Sequence, residues 1–506
     1  MLSRRKRWLL AAALAGAMAA LSACDAVGGV DLNGAIAESA AAASSEGTLR
    51  LEWNIAPSPA ADRLTRDKIA ALGSGAFAAG EVLTESPEKM SLRGELELPG
   101  GAVPVELYMD GDTLTVAAEG LKRPYVLELG GGDGQGGELL ALITEALKGG
   151  AREAVGDFLK MILLHIPNPP GTSAGTRQET LGGSEKTLQT VAFGERPLAE
   201  MFEALAAALE SAAGDAEGLE ALLDAHFDTL KPVFADMLNP SLRSLFLNIA
   251  NSNRAGAVRL AAQQIEPRMK ELAGSLRGMA SGEKAAAGAD SSAAVTLLFD
   301  GGTMAGMDLA LRLTPPEGKD DAGIASVRIR AESRWWNVNG EVSAKDPADG
   351  AIPFPRGAKP RERLNNVEPD SLLYDVLRNG LHVTRYSFSM YMGDNAAVPD
   401  GVSPYIKGAG TTMVPVRFVS EQLDAKVEWD AAARRVTITD DTEGVTIVLH
   451  IDDMTATVNG EAKTLAEAPE IINGSTFVPI KFIVTELRGS IHWDGERGVV
   501  TITKEY

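Results

Sequence analysis

The sequence predicts an α+β protein, with a large domain of antiparallel sheet and helices followed by a small domain in which a strand–helix–strand unit occurs twice. Two observations predict this fold class. Stretches of alternating apolar and polar residues, which indicate strands, lie on both sides of a central region whose apolar residues recur at helical spacing. Near the end of the chain, residues 411–439 align without a gap on residues 475–503, at a constant offset of 64 positions.

The first 23 residues have the pattern of an export signal rather than of a folded element. Basic residues are followed by an apolar run over residues 8–21, which is shorter than a comfortable membrane span. The motif LSAC at residues 21–24 resembles the lipobox of bacterial lipoproteins, which are cleaved before a cysteine that carries acyl chains. We therefore expect a signal peptide over residues 1–23 and lipidation of Cys24, which would anchor the protein to the extracytoplasmic side of a cell membrane.

Residues 24–46 are rich in Gly, Ala and Ser, and they predict a flexible lipidated tether. Since Cys24 is the one cysteine of the chain, no internal disulfide can form. The formal net charge is −21, and it becomes −25 without residues 1–23, which carry four positive charges. So acidic a chain disfavours nucleic acid and electrostatic attraction to anionic lipid or wall polymers. The expected partners are the membrane, through Cys24, and an envelope protein or polymer.

Residues 47–345 predict one large α+β domain, because a meander of strands is interrupted by helices and then completed. This order is similar to that of the half-barrel lipoproteins of bacterial envelopes, which cover a curved antiparallel sheet with helices and carry apolar cargo. Residues 346–380, rich in proline and charge, predict a linker. Strands are predicted at 48–53, 92–98, 103–109, 113–118, 125–129, 294–299, 307–313, 324–332 and 336–344, and helices at 69–79, 138–148, 153–164, 198–213, 219–238 and 255–276.

Residues 381–506 predict the second domain, with repeats at about 383–440 and 445–505. In each repeat a proline suits the first turn of a helix, where a missing N–H leaves no bond unmade. Apolar residues then follow at helical spacing, and a short tryptophan-containing strand and a closing strand come after them. The predicted core positions of the two repeats are Pro415, Phe418, Leu423, Trp429, Pro479, Phe482, Leu487 and Trp493.

With the repeats aligned, their motifs resemble the copper amine oxidase N-terminal-like domain, also called the stalk domain. The matching stretches are residues 413–418, 459–460, 468–469 and 473–479. The resemblance implies a non-catalytic module of strands around a helix, found in secreted or lipidated proteins that contain no oxidase. Lys481 departs from the arginine usual in the family.

Amine oxidase chemistry itself is not expected. The family's catalytic members need a tyrosine-derived quinone within an Asn-Tyr motif and three histidine copper ligands, whereas this chain has no Asn-Tyr pair. Its five histidines show no ligand spacing, and no Ser-His-Asp or HExxH arrangement occurs. Glu95 and Glu97, two apart on a predicted strand, are better interpreted as a solvent-facing pair. The sequence therefore predicts no enzyme, no catalytic residue, no cofactor and no metal site.

Four other motifs have a plain interpretation that we prefer. The glycine-rich residues 132–137 match a dinucleotide-binding pattern but follow antiparallel strands, which favours a glycine linker. Trp335 and Trp336 suggest a sugar-stacking platform, yet neighbours in a strand point to opposite faces. The acidic residues 440–443 and 452–453 lack the spacing of a calcium loop, so they predict solvated turns.

The leading hypothesis is a membrane-anchored surface lipoprotein whose stalk-type repeats act as a non-catalytic interaction or spacer module in the cell envelope. It depends on the lipobox, the repeat and the missing catalytic motifs. The alternative is a protein that binds lipid or another apolar ligand with the half-barrel-like domain at 47–345. An enclosed apolar cavity of several hundred Å³ would favour the alternative.

Overall fold

A computed structural model describes most of the chain and divides it into two compact units. The first unit comprises the described residues up to Phe354 together with Asn366–Leu381, and the second comprises Pro355–Asn365 and His382–Tyr506. Both contain strands and helices, so the predicted α+β class is confirmed. The predictions for residues 1–26, including Cys24, and for residues 132–148 lie outside the described part. The described residues are 27–128, 152–165, 171–238, 240–280, 287–316, 323–347, 349–355, 359–391, 404–408, 410–441, 443–495 and 498–506.

The first unit is organised around a 12-stranded sheet. All its neighbouring strands are antiparallel except one short pair at the edge, which is parallel. The strands are, in chain order, β1 (Ser45–Pro57), β2 (Ser74–Ser86), β3 (Lys89–Leu98), β4 (Gly101–Asp110), β5 (Thr113–Ala118), β6 (Tyr125–Glu128), β7 (Ser173–Leu181), β8 (Ser184–Pro197), β9 (Ser292–Asp300), β10 (Thr303–Leu313), β11 (Ile324–Trp336) and β12 (Ile352–Pro353). Across the sheet their order is β12-β6-β5-β4-β3-β2-β1-β11-β10-β9-β8-β7.

Helices cover one face of this sheet over β8, β9 and β10. Apolar side chains of these strands, among them Phe193, Val295 and Leu311, join helix residues in one buried core. Strand β2 starts at Ser74, so the helix predicted at 69–79 is wrong in its second half. The helices of the unit are α1 (Leu32–Ala41), α2 (Arg63–Leu72), α3 (Arg152–Leu163), α4 (Leu198–Gly214), α5 (Ala216–Ala225), α6 (Phe227–Met237), α7 (Pro240–Ser252), α8 (Arg254–Ala280) and α9 (Leu372–Asp375).

One end of the sheet curls so far that β7 comes back into contact with β11. The guanidinium of Arg334 on β11 reaches Glu179 on β7 at 3.0 Å and Asp308 on β10 at 2.7 Å. Burial lowers the pKa of Arg334, but the hydrogen bonds to these two carboxylates outweigh it and raise the pKa above its ordinary value. Trp335 packs on the helix-covered core and Trp336 on a small cluster inside the curl. Since the two tryptophans face opposite ways, they form no shared platform.

The predicted tether is wrong for residues 27–46, because they fold. Asp31 caps α1, accepting a hydrogen bond from the Gly34 amide at 3.0 Å, and α1 packs against α3 and β10. Leu32 is only 1 % exposed and belongs to the main core. A composition rich in alanine suits a helix as well as a flexible tether, because alanine is the best helix former and its small side chain allows close helix packing.

Replacing Leu32 with alanine should therefore lower the free energy of unfolding of the first unit by about 2–3 kcal/mol, because a buried methyl-rich side chain is lost from a core that closes only partly. Chemical denaturation of the purified chain measures this. Glu38→Ala, on the exposed side of the same helix, is the matched control and should change stability by less than about 0.5 kcal/mol. Equal stability of Leu32→Ala and the parent chain would show that α1 is only loosely attached.

The predicted linker at 346–380 is also wrong in part. Ile352 and Pro353 form β12 and pair with β6, and Val367 forms a bridge with Leu121. A π-helical turn over Val376–Gly380 follows α9. Leu372 of α9 lies against the β3–β4 turn, where a Cβ added to Gly101 would stand 3.1 Å from a Leu372 methyl. Proline and charge thus mark irregular backbone here, not a free linker.

The second unit consists of three small antiparallel sheets and two short helices. The sheet orders are β13-β24-β23, β14-β15-β22-β21 and β16-β17-β18-β19-β20. The strands are β13 (Arg385–Tyr391), β14 (Tyr405–Lys407), β15 (Thr411–Pro415), β16 (Lys426–Asp430), β17 (Arg435–Asp440), β18 (Val445–His450), β19 (Thr455–Val458), β20 (Glu461–Thr464), β21 (Glu470–Ile472), β22 (Ser475–Pro479), β23 (Ser490–Asp494) and β24 (Val499–Glu505), and the helices are α10 (Val416–Gln422) and α11 (Ile480–Glu486).

Candidate functional site

The second unit contains the same series of elements twice. Strand β15, helix α10 and strands β16 and β17 recur 64 residues later as β22, α11, β23 and β24, the two helices being seven residues long each. Each helix is followed by a non-glycine residue in the left-handed region, Asp424 with φ 62° and Arg488 with φ 60°. We call residues 383–440 the first repeat and residues 445–505 the second repeat.

An approximate twofold axis relates the two repeats. In the central sheet β15 pairs with β22, and Val414 lies directly opposite Val478, its own counterpart. On either side, Met413 faces Pro479 and Pro415 faces Phe477, so the pairing looks the same from both repeats. An antiparallel pair that is centred on equivalent residues has a local twofold axis between them. The repeats therefore pack face to face as two halves of one body.

The repeats also exchange strands. Strand β18, the first of the second repeat, pairs along β17, the last of the first repeat. Strand β13, the first of the first repeat, pairs along β24, the last of the second. Every sheet of the unit thus takes strands from both repeats. One buried apolar cluster draws on both of them as well.

Most of the predicted repeat-core positions are inside. Leu423 and Leu487 are fully buried, and Pro415 and Pro479 are buried at the start of the two helices. Phe418 and Phe482 are half-buried and pack against the shared cluster.

The two tryptophans are the exception, since Trp429 is 40 % exposed and Trp493 is 47 % exposed. The prediction that they fill the core is wrong. Each stands next to the last residue of a short strand, directly opposite a buried valine, Val436 or Val500. Less than half of each tryptophan is exposed, so part of each indole is covered by the protein and the rest remains in solvent. Both repeats thus present an aromatic surface at equivalent positions.

A buried ion pair joins the repeats at another pair of equivalent positions. Asp440 ends β17 and Lys504 lies at the same point of β24, and the Lys504 ammonium donates to the Asp440 carboxylate at 2.7 Å. Both residues are 1 % exposed. The ammonium also lies 3.4 Å from the Leu423 carbonyl oxygen and 4.8 Å from the Tyr506 ring centroid. If both repeats carried the same charged residue at this position, the two buried like charges would repel each other. The opposite charges of Asp440 and Lys504 avoid this repulsion where the two repeats meet.

The prediction of a solvated turn at 440–443 is therefore wrong for Asp440. Asp441 agrees with the prediction of a surface turn, since it is exposed and pairs with Lys426 at 2.6 Å. The sequence does contain the signal that was missed. Ile438 and Asp440 are two apart in one strand and share the buried face, as do Ile502 and Lys504 in the other.

Tyr405 and Glu470 are a second unlike pair at equivalent positions. The Tyr405 hydroxyl donates a hydrogen bond to the Glu470 carboxylate, which also pairs with Lys407 at 2.9 Å. Burial, and then the bond to Glu470, raises the pKa of Tyr405 above its ordinary value. The bond from Tyr405, followed by that from Lys407, holds the pKa of Glu470 below its usual range. Both unlike pairs tie the first repeat to the second.

Two cavities of different character lie among the described residues of the first unit. One, of about 40 Å³, is apolar and lies between α6, α7 and α8 among Phe227, Phe234 and Phe246. It is far below the several hundred Å³ that a lipid chain needs. The other, of about 490 Å³, is an open groove lined by charged residues of β1, β3 and β11 and by residues of β2. Neither is the enclosed apolar chamber that the cargo-binding alternative predicts.

Among the described residues, no group of three or more His, Cys, Asp and Glu side chains is arranged to hold a metal ion. Within the same part of the chain, no helix combines the length and the apolar character needed to cross a membrane. Glu97 is engaged in a salt bridge with Arg50 at 3.1 Å, and Glu95, two residues before it on β3, is exposed.

Comparison with known families assigns part of the second unit. Residues 393–502 match the copper amine oxidase N-terminal domain. The match runs through both repeats as one range, in keeping with their exchanged strands and common core. A search of curated proteins finds no match to the chain.

Proposed function

We propose that this chain is a lipid-anchored envelope protein on the extracytoplasmic side of a cell membrane, and that its C-terminal unit is a non-catalytic interaction or spacer module. The match to the copper amine oxidase N-terminal domain supports the second part, because that domain is not the catalytic part of the oxidases. The lipobox-like residues 21–24 support the first.

The observation that carries an interaction role is the pair of exposed indoles. Trp429 and Trp493 occupy the same place in both repeats and are exposed in both, as are Ile406 and Ile471, whereas the repeated leucines Leu423 and Leu487 are buried. Tryptophan is enriched where proteins bind partners, since its large apolar face contributes binding energy at little conformational cost. Two copies on one rigid unit would bind a repetitive envelope polymer or an oligomeric protein through both sites at once.

The experiment is co-sedimentation of a purified fragment, residues 355–506, with an envelope fraction; the fragment contains the second unit together with residues 366–381 of the first. Trp429→Ala with Trp493→Ala should reduce the bound fraction by about tenfold, with each single variant between the two extremes. Met454→Ala, an equally exposed apolar residue outside the repeated positions, is the control and should bind normally. Binding by the double variant at the parental level would refute the role of the tryptophans. No binding by the parent unit would leave the spacer role as the proposal.

Anchoring is tested separately. Cys24→Ser should abolish incorporation of a labelled fatty acid and move the protein from the membrane fraction to the soluble exported fraction. Retention of the variant in the membrane, after a salt wash, would contradict anchoring through Cys24.

One observation favours the apolar-ligand alternative for the first unit. Leu51, Phe77 and Leu96 lie directly opposite one another on β1, β2 and β3 and are only half-buried, whereas Val103, which lies opposite Leu96 on β4, is buried. Extraction of the purified chain followed by mass spectrometry tests this. A lipid that co-purifies in stoichiometric amount supports the alternative. The absence of lipid contradicts the alternative and agrees with the small size of the apolar cavity between the helices.

A further inference from the structure

Three arginines on adjacent strands of the first unit have no ionic partner. Arg328 and Arg330 are two apart on β11 and share one face of the sheet, and Arg312 on β10 lies directly opposite Arg328. All three are exposed. In the described part of the chain, no hydrogen bond or ion pair joins these guanidiniums to another residue. The other arginines that face this region are paired, which makes these three stand apart.

Two nearby carboxylates, Glu52 and Glu97, are engaged by Arg50, whereas the exposed Glu332, two residues from Arg330 on the same face of β11, forms no ion pair in the described part of the chain. Glu52 lies directly opposite Arg330, but its Oε1 accepts a hydrogen bond from Arg50 Nε at 2.9 Å. Glu97 accepts two bonds from the same guanidinium, each at 3.1 Å, and these hold the pKa of Glu97 below its usual range. One arginine therefore serves both carboxylates. Arg328 and Arg330 form no ion pair with either of them.

Arg328 and Arg330 border the open groove of about 490 Å³. Like charges directly opposite each other on neighbouring strands destabilise a sheet, so the placement of Arg312 against Arg328 is unfavourable in the free protein. A bound anion would relieve that repulsion. The groove is lined by Arg50, Glu52, Trp53, Asn54, Ser74, Gly75, Ala76, Glu97, Leu98, Pro99, Arg328 and Arg330.

The spacing of the arginines fits an anion with more than one charge. Residues two apart on a strand stand about 6.6 Å apart, and directly opposite residues have Cβ atoms about 5 Å apart. Each guanidinium presents a planar fork of N–H donors that matches the oxygens of phosphate. Three forks within this distance offer more donors than one carboxylate can accept, whereas a phosphate carries several acceptor oxygens and up to two charges. This favours phosphate over carboxylate.

We propose that the arginine groove, formed by Arg312, Arg328, Arg330 and the adjoining groove between β11 and β3, binds a phosphate-bearing ligand. The net charge of −21 does not oppose this, because charges beyond about 10 Å are screened at physiological salt and the local groups dominate. The ligand is either a phospholipid headgroup or a soluble phosphate compound. The chemistry that the groove recognises is the same for both.

Titration calorimetry of the full chain in detergent, with inorganic pyrophosphate as the probe, tests the proposal. The double variant Arg328→Gln with Arg330→Gln should bind at least tenfold more weakly than the parent. The control is Arg93→Gln with Arg259→Gln, which changes the net charge equally but removes arginines that are paired with Glu106 and Glu220. It should bind within twofold of the parent. Equal losses in both double variants, or no binding by the parent at low salt, would overturn the proposal.

Three further measurements sharpen the result. Succinate should bind much more weakly than pyrophosphate, and equal affinity would refute the phosphate assignment. Without ligand, Arg328→Gln should unfold at a slightly higher temperature than the parent because repulsion from Arg312 is removed, whereas a lower Tm would mean that the arginine stabilises the sheet. Vesicles of phosphatidylglycerol that compete with pyrophosphate indicate a headgroup site, and competition by glycerol 3-phosphate alone indicates a soluble ligand.

Discussion

Replacing Lys504 with methionine should destabilise the second unit by about 3–5 kcal/mol. The change removes one partner of a buried pair and leaves the Asp440 carboxylate inside the protein without its counter-ion, at a place that water does not reach. The bond to the Leu423 carbonyl and the contact with Tyr506 are lost at the same time. Urea denaturation of residues 355–506 measures the free energy of unfolding directly.

Two companion variants show whether burial is the cause. Lys426→Met removes the partner of Asp441 from an exposed pair of similar geometry, so it should change stability by no more than about 1 kcal/mol. Asp440→Leu combined with Lys504→Met replaces both charges by apolar groups and should recover most of the loss. A double variant as unstable as Lys504→Met alone would show that packing, and not the unpaired charge, causes the loss.

Neither repeat should fold when it is separated from the other. A fragment of residues 355–443 would lack β18 and β24, which pair with its strands β17 and β13. A fragment of residues 444–506 would lack β17 and β13, which pair with its strands β18 and β24. Each fragment would also expose its half of the common core. A chain of about 60 residues is already at the limit of independent stability, so losing these contacts should abolish the cooperative transition altogether.

The measurement is thermal unfolding followed by circular dichroism. Residues 355–506 should give one sigmoidal transition, and each fragment alone should give none. Mixing the two fragments should restore the transition at a lower temperature, because association now has to offset the loss of translational freedom. A sigmoidal transition in either fragment would contradict the strand exchange.

The sequence predicts the class of the fold and the repeat because both depend on local periodicity. Alternation indicates strands whatever their neighbours, and a Pro followed by apolar residues at helical spacing marks the two short helices. The same alternation places Asp440 and Lys504 on a buried face. The prediction of a solvated turn at 440–443 follows instead from the general expectation that acidic runs face solvent. That expectation fails where a counter-ion is buried beside the carboxylate.

Other features could not be predicted because they depend on contacts far apart in sequence. The exposure of Trp429 and Trp493 depends on how far the core extends toward the end of each strand. The exchange of β13 and β18 between repeats cannot be derived from periodicity, because a strand shows the same alternation whether it pairs within its own repeat or with the other repeat. The arginine groove is equally hidden, since Arg312 and Arg328 meet only when β10 is in register with β11.

The pairing of β13 with β24 also has a mechanical consequence. Arg385, near the start of the first repeat, lies opposite Glu505, near the end of the second, and the Tyr506 amide donates to the Thr384 carbonyl. The chain therefore enters and leaves the pair of repeats side by side. A pull between the two ends would peel β13 from β24 one residue pair at a time, instead of shearing all their hydrogen bonds together.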